Sequence, residues 1–522
     1  MGNTMKKTPK AAKIAKETTI RVLQWNILAD GLGQDGFLST EFVPIRESSA
    51  ATANGYEAIQ FMQMVREAKV DDAKSGAIQA MNDLKKAEKK LKKLKDGSSA
   101  DVAKLKQEIA SMKDTVSKSK LVNLKQKFEH SPELERVNAE TLDWNVRYSR
   151  IKALLLRADP DIITFQEMDH LKQFLDDGTF SSKYTCLLDA QGRYRPPFYN
   201  SDDTSKDSRR SENYMKQLIQ SQAAFCPKSY SHAYNFRKKR SRPGAKDLDD
   251  DGVAVFWKKD KFEATELGYL EYPPKEGDSK KEGALAVTLY HKTSKQSINV
   301  LTAHLPSGDD VAKEQERLSV LKNPTAMCVA QRLCRQGNGE WKQVPYEANY
   351  KFDGLLAFIQ YYTQQDAKQT SPRTIFALDT NSRPTFPLTD ASSATKGEKT
   401  NVWNSIRQGS NLESIWVQTS FLDSNGKATN PQYPFVATVN KMRGPSSDQP
   451  SKIGEHQLEL IDHIFTNARN SHVVKDVQIS ETEIIPLAPL QYASKEGKAE
   501  VSLNPSMSMP SDHLPVVVDI AL

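Results

Sequence analysis

The stretch Pro510-Ser511-Asp512-His513-Leu514-Pro515-Val516-Val517-Val518-Asp519 decides how the chain is read. Its Pro-Ser pair is turn chemistry, and the β-branched run after it reads as a buried strand. Asp512 and His513 therefore stand where a loop enters a strand, a rigid place from which to present side chains. An Asp-His pair says little alone. It acquires meaning if other acids, amides and histidines also stand at the ends of apolar strands.

They do. Ile20, Val22 and Gln24 alternate with Arg21, Leu23 and Trp25 in a first strand that ends at Asn26. Residues 142–156 form an amphipathic helix carrying Trp144, Arg147 and Arg150, stopped by Ala158-Asp159-Pro160. A short strand over 161–165 follows, with Gln166-Glu167 at its end. Asp251-Gly252 stands at the mouth of the strand Val253–Trp257. Residues 297–301 lead into Thr302-Ala303-His304, and Glu316 and Arg317 follow on a helix. Residues 374–378 are a buried strand closed by Asp379-Thr380-Asn381, where alternation puts Asp379 and Asn381 on one side. Gln457 to Phe465 reads as one strand with Asp462 inside it. A charge in such a run needs a partner, and His513 is the natural one.

Residues 45–135 read differently. Ile78, Met81, Leu84, Ala87, Leu91 and Leu94 recur at helical spacing, and Asp96-Gly97-Ser98-Ser99 breaks the pattern. Leu105, Ile109, Met112 and Val116 resume it, so the segment is expected to be a helical hairpin of coiled-coil type. Its outer face is basic, with KKAEKKLKKLK over Lys85 to Lys95. That face is either a solvated helix surface or an electrostatic contact for RNA, a membrane surface or a partner protein.

Composition narrows the classes. The 522 residues carry a formal charge of +7, much of it in the lysine-rich segment, and 27% of them are charged. This favours polyanionic partners slightly. No apolar run approaches a transmembrane length. Cys186, Cys226, Cys328 and Cys334 have no metal-ligand spacing, and the chain reads as reduced, intracellular and cytoplasmic. Residues 1–18 read as a basic tail with neither the apolar core of a signal peptide nor the arginines of a transit peptide. The expected organisation is this tail, a layered α/β catalytic domain over 19–522, and the helical insertion at 45–135 within it.

Together the strand ends offer Asn26, Glu167, Asp251, His304, Asp379, Asn381, Asp462, Asp512 and His513. Hard oxygen donors with a few imidazoles and no thiolate suit Mg2+ or Mn2+ and phosphate chemistry. In this order the residues resemble the endonuclease/exonuclease/phosphatase superfamily. The matching stretches are Gln24-Trp25-Asn26, Gln166-Glu167, Asp251-Gly252, Thr302-Ala303-His304-Leu305, Asp379-Thr380-Asn381, Ile461-Asp462-His463-Ile464 and Ser511-Asp512-His513. Within it the chain looks most like the nocturnin and deadenylase branch.

The resemblance implies a four-layer sandwich, two β-sheets face to face with helices outside, and hydrolysis of phosphoesters with a divalent metal. It makes Glu167 the principal metal ligand, with Asn26 and Asp512 close to the metal or its waters. It makes Asp379 the residue that orients and deprotonates the attacking water, helped by Asn381. His513, held by Asp462, supplies positive charge to the developing phosphorane, and His304, Asn381 and Asp251 contact substrate. The leading expectation is a 3′-to-5′ exoribonuclease of deadenylase type. The alternatives are a phosphatase for a small phosphorylated molecule such as a nicotinamide dinucleotide phosphate, a DNA-repair nuclease, and a non-catalytic scaffold working through the insertion. Pro306-Ser307-Gly308 departs from the branch, which carries basic residues there, and Thr380 stands where an aromatic is common.

Overall fold

The structure, a computed structural model, describes residues 19–29, 77–93, 102–111, 141–170, 173–174, 177–185, 224–227, 252–273, 283–323, 327–339, 341–347, 350–364, 373–385, 401–442, 456–480, 483–492 and 509–522. Asp251 and the basic tail lie outside the described residues.

Two sheets face each other. The seven-stranded sheet is built from β1 (Thr19–Asn26), β2 (Ile162–Met168), β3 (Tyr184–Thr185), β4 (Ala224–Pro227), β5 (Gly252–Lys258), β16 (Ser471–Val473) and β17 (Val516–Ala521). Its order is β16-β17-β1-β2-β5-β3, with β4 pairing β5. The eight-stranded sheet is built from β6 (Phe262–Glu271), β7 (Gly283–His291), β8 (Ser297–His304), β9 (Val329–Arg335), β10 (Trp341–Gln343), β11 (Arg373–Asp379), β12 (Glu413–Ser414) and β15 (Asp462–Thr466). Its order is β10-β9-β6-β7-β8-β11-β15-β12. A side ribbon pairs β13 (Val439–Met442) with β14 (His456–Glu459). β1 and β2 lie over β8, β11 and β15, and the apolar residues of both inner faces fill one core.

Parallel pairing sets the polarity that matters. β1 runs parallel to β2, and β8 runs parallel to β11. Both pairs are central and covered on both sides, so their sequences lose the in-out alternation of a half-exposed strand. In β1 every residue from Val22 to Asn26 is buried, on both faces of the strand.

Helices cover the outer faces. α2 (Trp144–Ala158) is capped by Asp143, whose carboxylate accepts from the backbone N–H of Asn145 and Val146, and it ends at Asp159 with φ 47°. Tyr148, Ile151, Leu154 and Leu155 face the core. α4 (Val311–Leu321), α5 (Leu355–Gln364) and α6 (Val402–Ser410) pack on one another, and α5 lies on β8 and β11. α3 (Gly178–Lys183) leads into β3 and α7 (Ile415–Gln418) lies on β15. The four-layer sandwich is thus the observed architecture.

In the insertion, α1 (Ala77–Lys93) and a helix over 102–111 share a small cluster of Ala87, Leu105 and Ile109, with Leu84 and Leu91 against it. These are short paired helices. The sustained heptads of a coiled coil need a longer run than the described residues supply. Lys85, Lys86, Lys89, Lys90, Lys104 and Lys106 are exposed on them. Among the described residues no helix is long and apolar enough to cross a membrane.

Candidate active site

Four strands deliver side chains by their carboxyl ends. β1 ends at Asn26 and β2 places Glu167 next to its last residue, in one sheet. β8 ends at His304 and β11 at Asp379, side by side in the other. Two antiparallel neighbours contribute from their starts. β15 begins at Asp462, directly opposite Asp379. β17 pairs with β1, and Asp512-His513 precede it. One end of the sandwich therefore collects Asn26, Glu167, His304, Asp379, Asp462, Asp512 and His513, and the turn after β11 adds Asn381.

The contacts are direct. Asn26 Nδ2 donates to Glu167 Oε1 and to Asp379 Oδ2, each at 3.0 Å, and so joins the two sheets. The backbone N–H of Ala29 donates to Glu167 Oε2 at 3.0 Å. His304 Nε2 lies 3.4 Å from Asp379 Oδ2 and 3.8 Å from Glu167 Oε1. His513 Nδ1 meets Asp462 Oδ2 at 2.8 Å, and its Nε2 faces Asp379 Oδ2 and Asp512 Oδ2 at 3.9 Å each. Oxygens of Asp379 and Asp462 and a ring nitrogen of His513 all lie within 4.8 Å of one another.

Local backbone geometry aims these groups. Glu167 has φ 54°, at a break in register between β2 and β5. The bulge turns the carboxylate out of the strand's alternation. Asn381 has φ 49°. β11 ends at Asp379, so Asp379 and Asn381 converge through a turn, with the Asn381 N–H on Asp379 Oδ1 at 2.7 Å, and not through strand alternation. Asn381 Nδ2 meets His304 Nε2 at 3.0 Å and donates to Leu305 O at 2.9 Å. Asp462 opens its strand, because Leu460 and Ile461 break the run expected to be continuous into β14 and β15. Thr380 fills that break: its hydroxyl and N–H both reach Ile461 O.

Buried polar groups hold the frame. Gln24 Nε2 donates to Asp462 Oδ1 at 2.9 Å and to Gln166 Oε1 at 2.7 Å. Trp25 Nε1 donates to His513 O at 2.9 Å, and Ser511 Oγ to Asn26 O at 2.7 Å. Arg147, fully buried, sends its guanidinium to the carbonyls of Ile27, Leu28 and Pro510. It ties the loop after Asn26 to the loop before Asp512. Glu314 and Arg317 of α4 do the same for the other sheet. Glu314 Oε1 accepts from Ser382 Oγ and Val402 N, and its Oε2 accepts from Arg317 Nε at 2.9 Å. Arg317 Nη1 donates to Pro306 O and Gly308 O at 2.8 Å each.

One residue with no assigned part in the sequence reading stands inside the site. Lys441 of β13 is buried, and its Nζ donates to Asp512 Oδ2 at 2.5 Å. Val439 of the same strand bridges His513. The signal was available: a lysine within an apolar, β-branched stretch needs a partner as much as Asp462 does.

Electrostatics follow from this packing. Burial alone would lower the His513 pKa, but Asp462, Asp512 and Asp379 outweigh it and push it up to about 10. Burial would raise Asp379, yet His304 and His513 hold it well below the usual carboxylate range. Burial raises Asp462 against the pull of His513. His463, adjacent but fully buried, is pushed down to about 4 by burial and stays neutral. The result is an imidazolium at His513 facing an ionised Asp379.

The donor set fits a hard divalent cation. Glu167 and Asp379 are two carboxylates that share one neutral amide, and no thiolate stands among the described residues around them.

The family model described as Endonuclease/Exonuclease/phosphatase family matches residues 134–513. A comparison with curated proteins gives no match. Among solved structures, the chain is similar to the human nocturnin catalytic domain with bound sulfate, at 16% identity and TM-score 0.38, over 73% of this chain and 87% of that one. It is similar to ANGEL2, a 2',3'-cyclic phosphatase, in complex with adenosine-2',3'-vanadate, at 13% identity and TM-score 0.38, over 73% and 88%. It is also similar to a mannosyl-6-phosphatase of Bacteroides thetaiotaomicron, at 13% identity and TM-score 0.33, over 73% and 92%.

Proposed function

The chain belongs to the endonuclease/exonuclease/phosphatase family, whose members hydrolyse phosphoester bonds with a divalent metal ion, and from that premise we propose that it is a 3′-to-5′ exoribonuclease of deadenylase type. The supporting observation for hydrolysis is the convergence of Asn26, Glu167, His304, Asp379, Asp462 and His513 at one end of the sandwich. The observation that favours RNA over a small phosphate ester is the insertion. Six exposed lysines on its described helices give a polyanion a surface that a small substrate would not need.

Glu167, with Asn26 beside it, would hold the ion, with Mg2+ or Mn2+ matching the oxygen donors. When bound, the ion supplies Lewis-acid charge to the phosphate. The remaining work falls to the chain. Asp379, ionised, takes the proton of the attacking water as its oxygen bonds to phosphorus. His513 carries positive charge toward the oxygens of the phosphorane, and Asp462 fixes its ring and keeps it charged. His304 and Asn381 line the phosphate side. The bond from phosphorus to the 3′-oxygen then breaks, that oxygen takes a proton from solvent to become the 3′-hydroxyl of the shortened RNA, and a nucleoside 5′-monophosphate is released.

Purified protein with Mg2+ is incubated with end-labelled poly(A) RNA and, separately, with NADP+. Stepwise shortening of the RNA from its 3′ end, with no phosphate from NADP+, is the expected result. Phosphate from NADP+ with intact RNA would replace this reading with the small-molecule phosphatase. No hydrolysis of either substrate, with the protein folded, would favour a binding scaffold.

A further inference from the structure

Within the constellation the charges are not evenly matched. Asp462 has His513 at 2.8 Å, and Asp512 has Lys441 at 2.5 Å. Glu167 and Asp379 share the Asn26 amide, with His304 at 3.8 and 3.4 Å. The unmatched negative charge is therefore concentrated on the Glu167 side. On the opposite side, Lys441 already puts a full positive charge against the carboxylate that the sequence reading set near the metal.

Phosphoryl-transfer sites commonly bring two cations to one phosphate, roughly 3.5–4 Å apart when both are metals. An ammonium is a compact point charge and can serve as one of them. Lys441 is held for such a role. It is buried on β13, a strand that bridges His513 through Val439. The same oxygen, Asp512 Oδ2, lies 3.9 Å from His513 Nε2, so the lysine sits at the edge of the catalytic group itself.

We infer that Lys441 is a built-in second cation: it occupies the place at Asp512 where another metal would bind, and the site takes a single divalent ion, on the Glu167 side. The inference rests on the metal-dependent reading above. It also assigns Asp512 to holding Lys441 rather than to ligating the ion.

The test counts ions without turnover. Full-length protein is titrated with Mn2+, and free Mn2+ is read by electron paramagnetic resonance. Wild type should take up one tight Mn2+ per chain, and Glu167→Gln should lose it. Asp512→Asn should keep one, because the carboxylate it removes faces the lysine. Lys441→Met should gain a second, since it removes the ammonium that stands 2.5 Å from Asp512 Oδ2. Lys441→Arg, which keeps the charge, should stay at one. Two tight ions in wild type, or loss of the ion in Asp512→Asn, would overturn the inference and leave the metal-dependent reading standing. No Mn2+ bound by folded wild type would overturn both. If Lys441→Met fails to fold, the wild-type, Asp512→Asn and Lys441→Arg counts still decide.

Discussion

At the scale of single residues, Asp462 governs a charge it does not itself deliver. His513 is an imidazolium below about 10 and a neutral ring above it. Turnover that needs the cation should therefore hold through neutral pH and fall as pH rises through that value. Asp462→Asn removes the partner at 2.8 Å, so the alkaline limb of the kcat profile should move down toward the ordinary histidine value of about 6.5. A pH profile with an unmoved limb would take Asp462 out of this role. Glu167→Gln should cost at least ~10²-fold in kcat, the scale of losing a group that stabilises transition-state charge. Titration with Mg2+ should fail to restore it. Glu167 and His513 were legible as polar groups at the ends of apolar runs, and Asp462 as a charge inside a β-rich run that needs a partner. Lys441 was not marked, because a lysine ordinarily reads as surface. The apolar, β-branched stretch around it was the available signal, and β13 carries it inward.

Elements convert those positions into a site, and most of that conversion is done by turns and not by strands. The site-bearing strands and α2 announce themselves in the sequence through apolar and amphipathic runs. What the sequence hides is the backbone at their ends. Glu167 and Asn381 both take positive φ, and no residue type there demands it. The register break in β2 and the short link at Leu460-Ile461 depend on which strands lie alongside, information held elsewhere in the chain. The loops after β8 and β11 are likewise fixed from a distance, by Glu314 and Arg317 of α4. Arg317→Met should leave Glu314 buried without its ion partner. A destabilisation of about 3–5 kcal/mol is expected, read from the denaturant midpoint. Arg317→Lys should recover part of the folding but less of the activity, because one ammonium cannot hold Glu314, Pro306 and Gly308 together in the fork that a guanidinium provides.

For the whole molecule, the insertion and the sandwich are proposed to divide the work. Deleting residues 55–128 should leave hydrolysis of a short oligonucleotide intact while weakening binding of long RNA. The slope of log affinity against log salt should become shallower as the phosphate contacts are lost. A folded deletion protein that cannot cleave a short substrate would place the hairpin in the active site. The sandwich also carries a consequence for how the protein is made. β1 lies at the centre of its sheet, between β2 and β17, and its Thr19 pairs with Ala521. During synthesis that strand must wait, with one edge open, until almost five hundred further residues have been added. Asp512 and His513 arrive just before the strand that closes it. A nascent chain is thus inert until very late, and products of premature termination lack both the closing strand and the histidine.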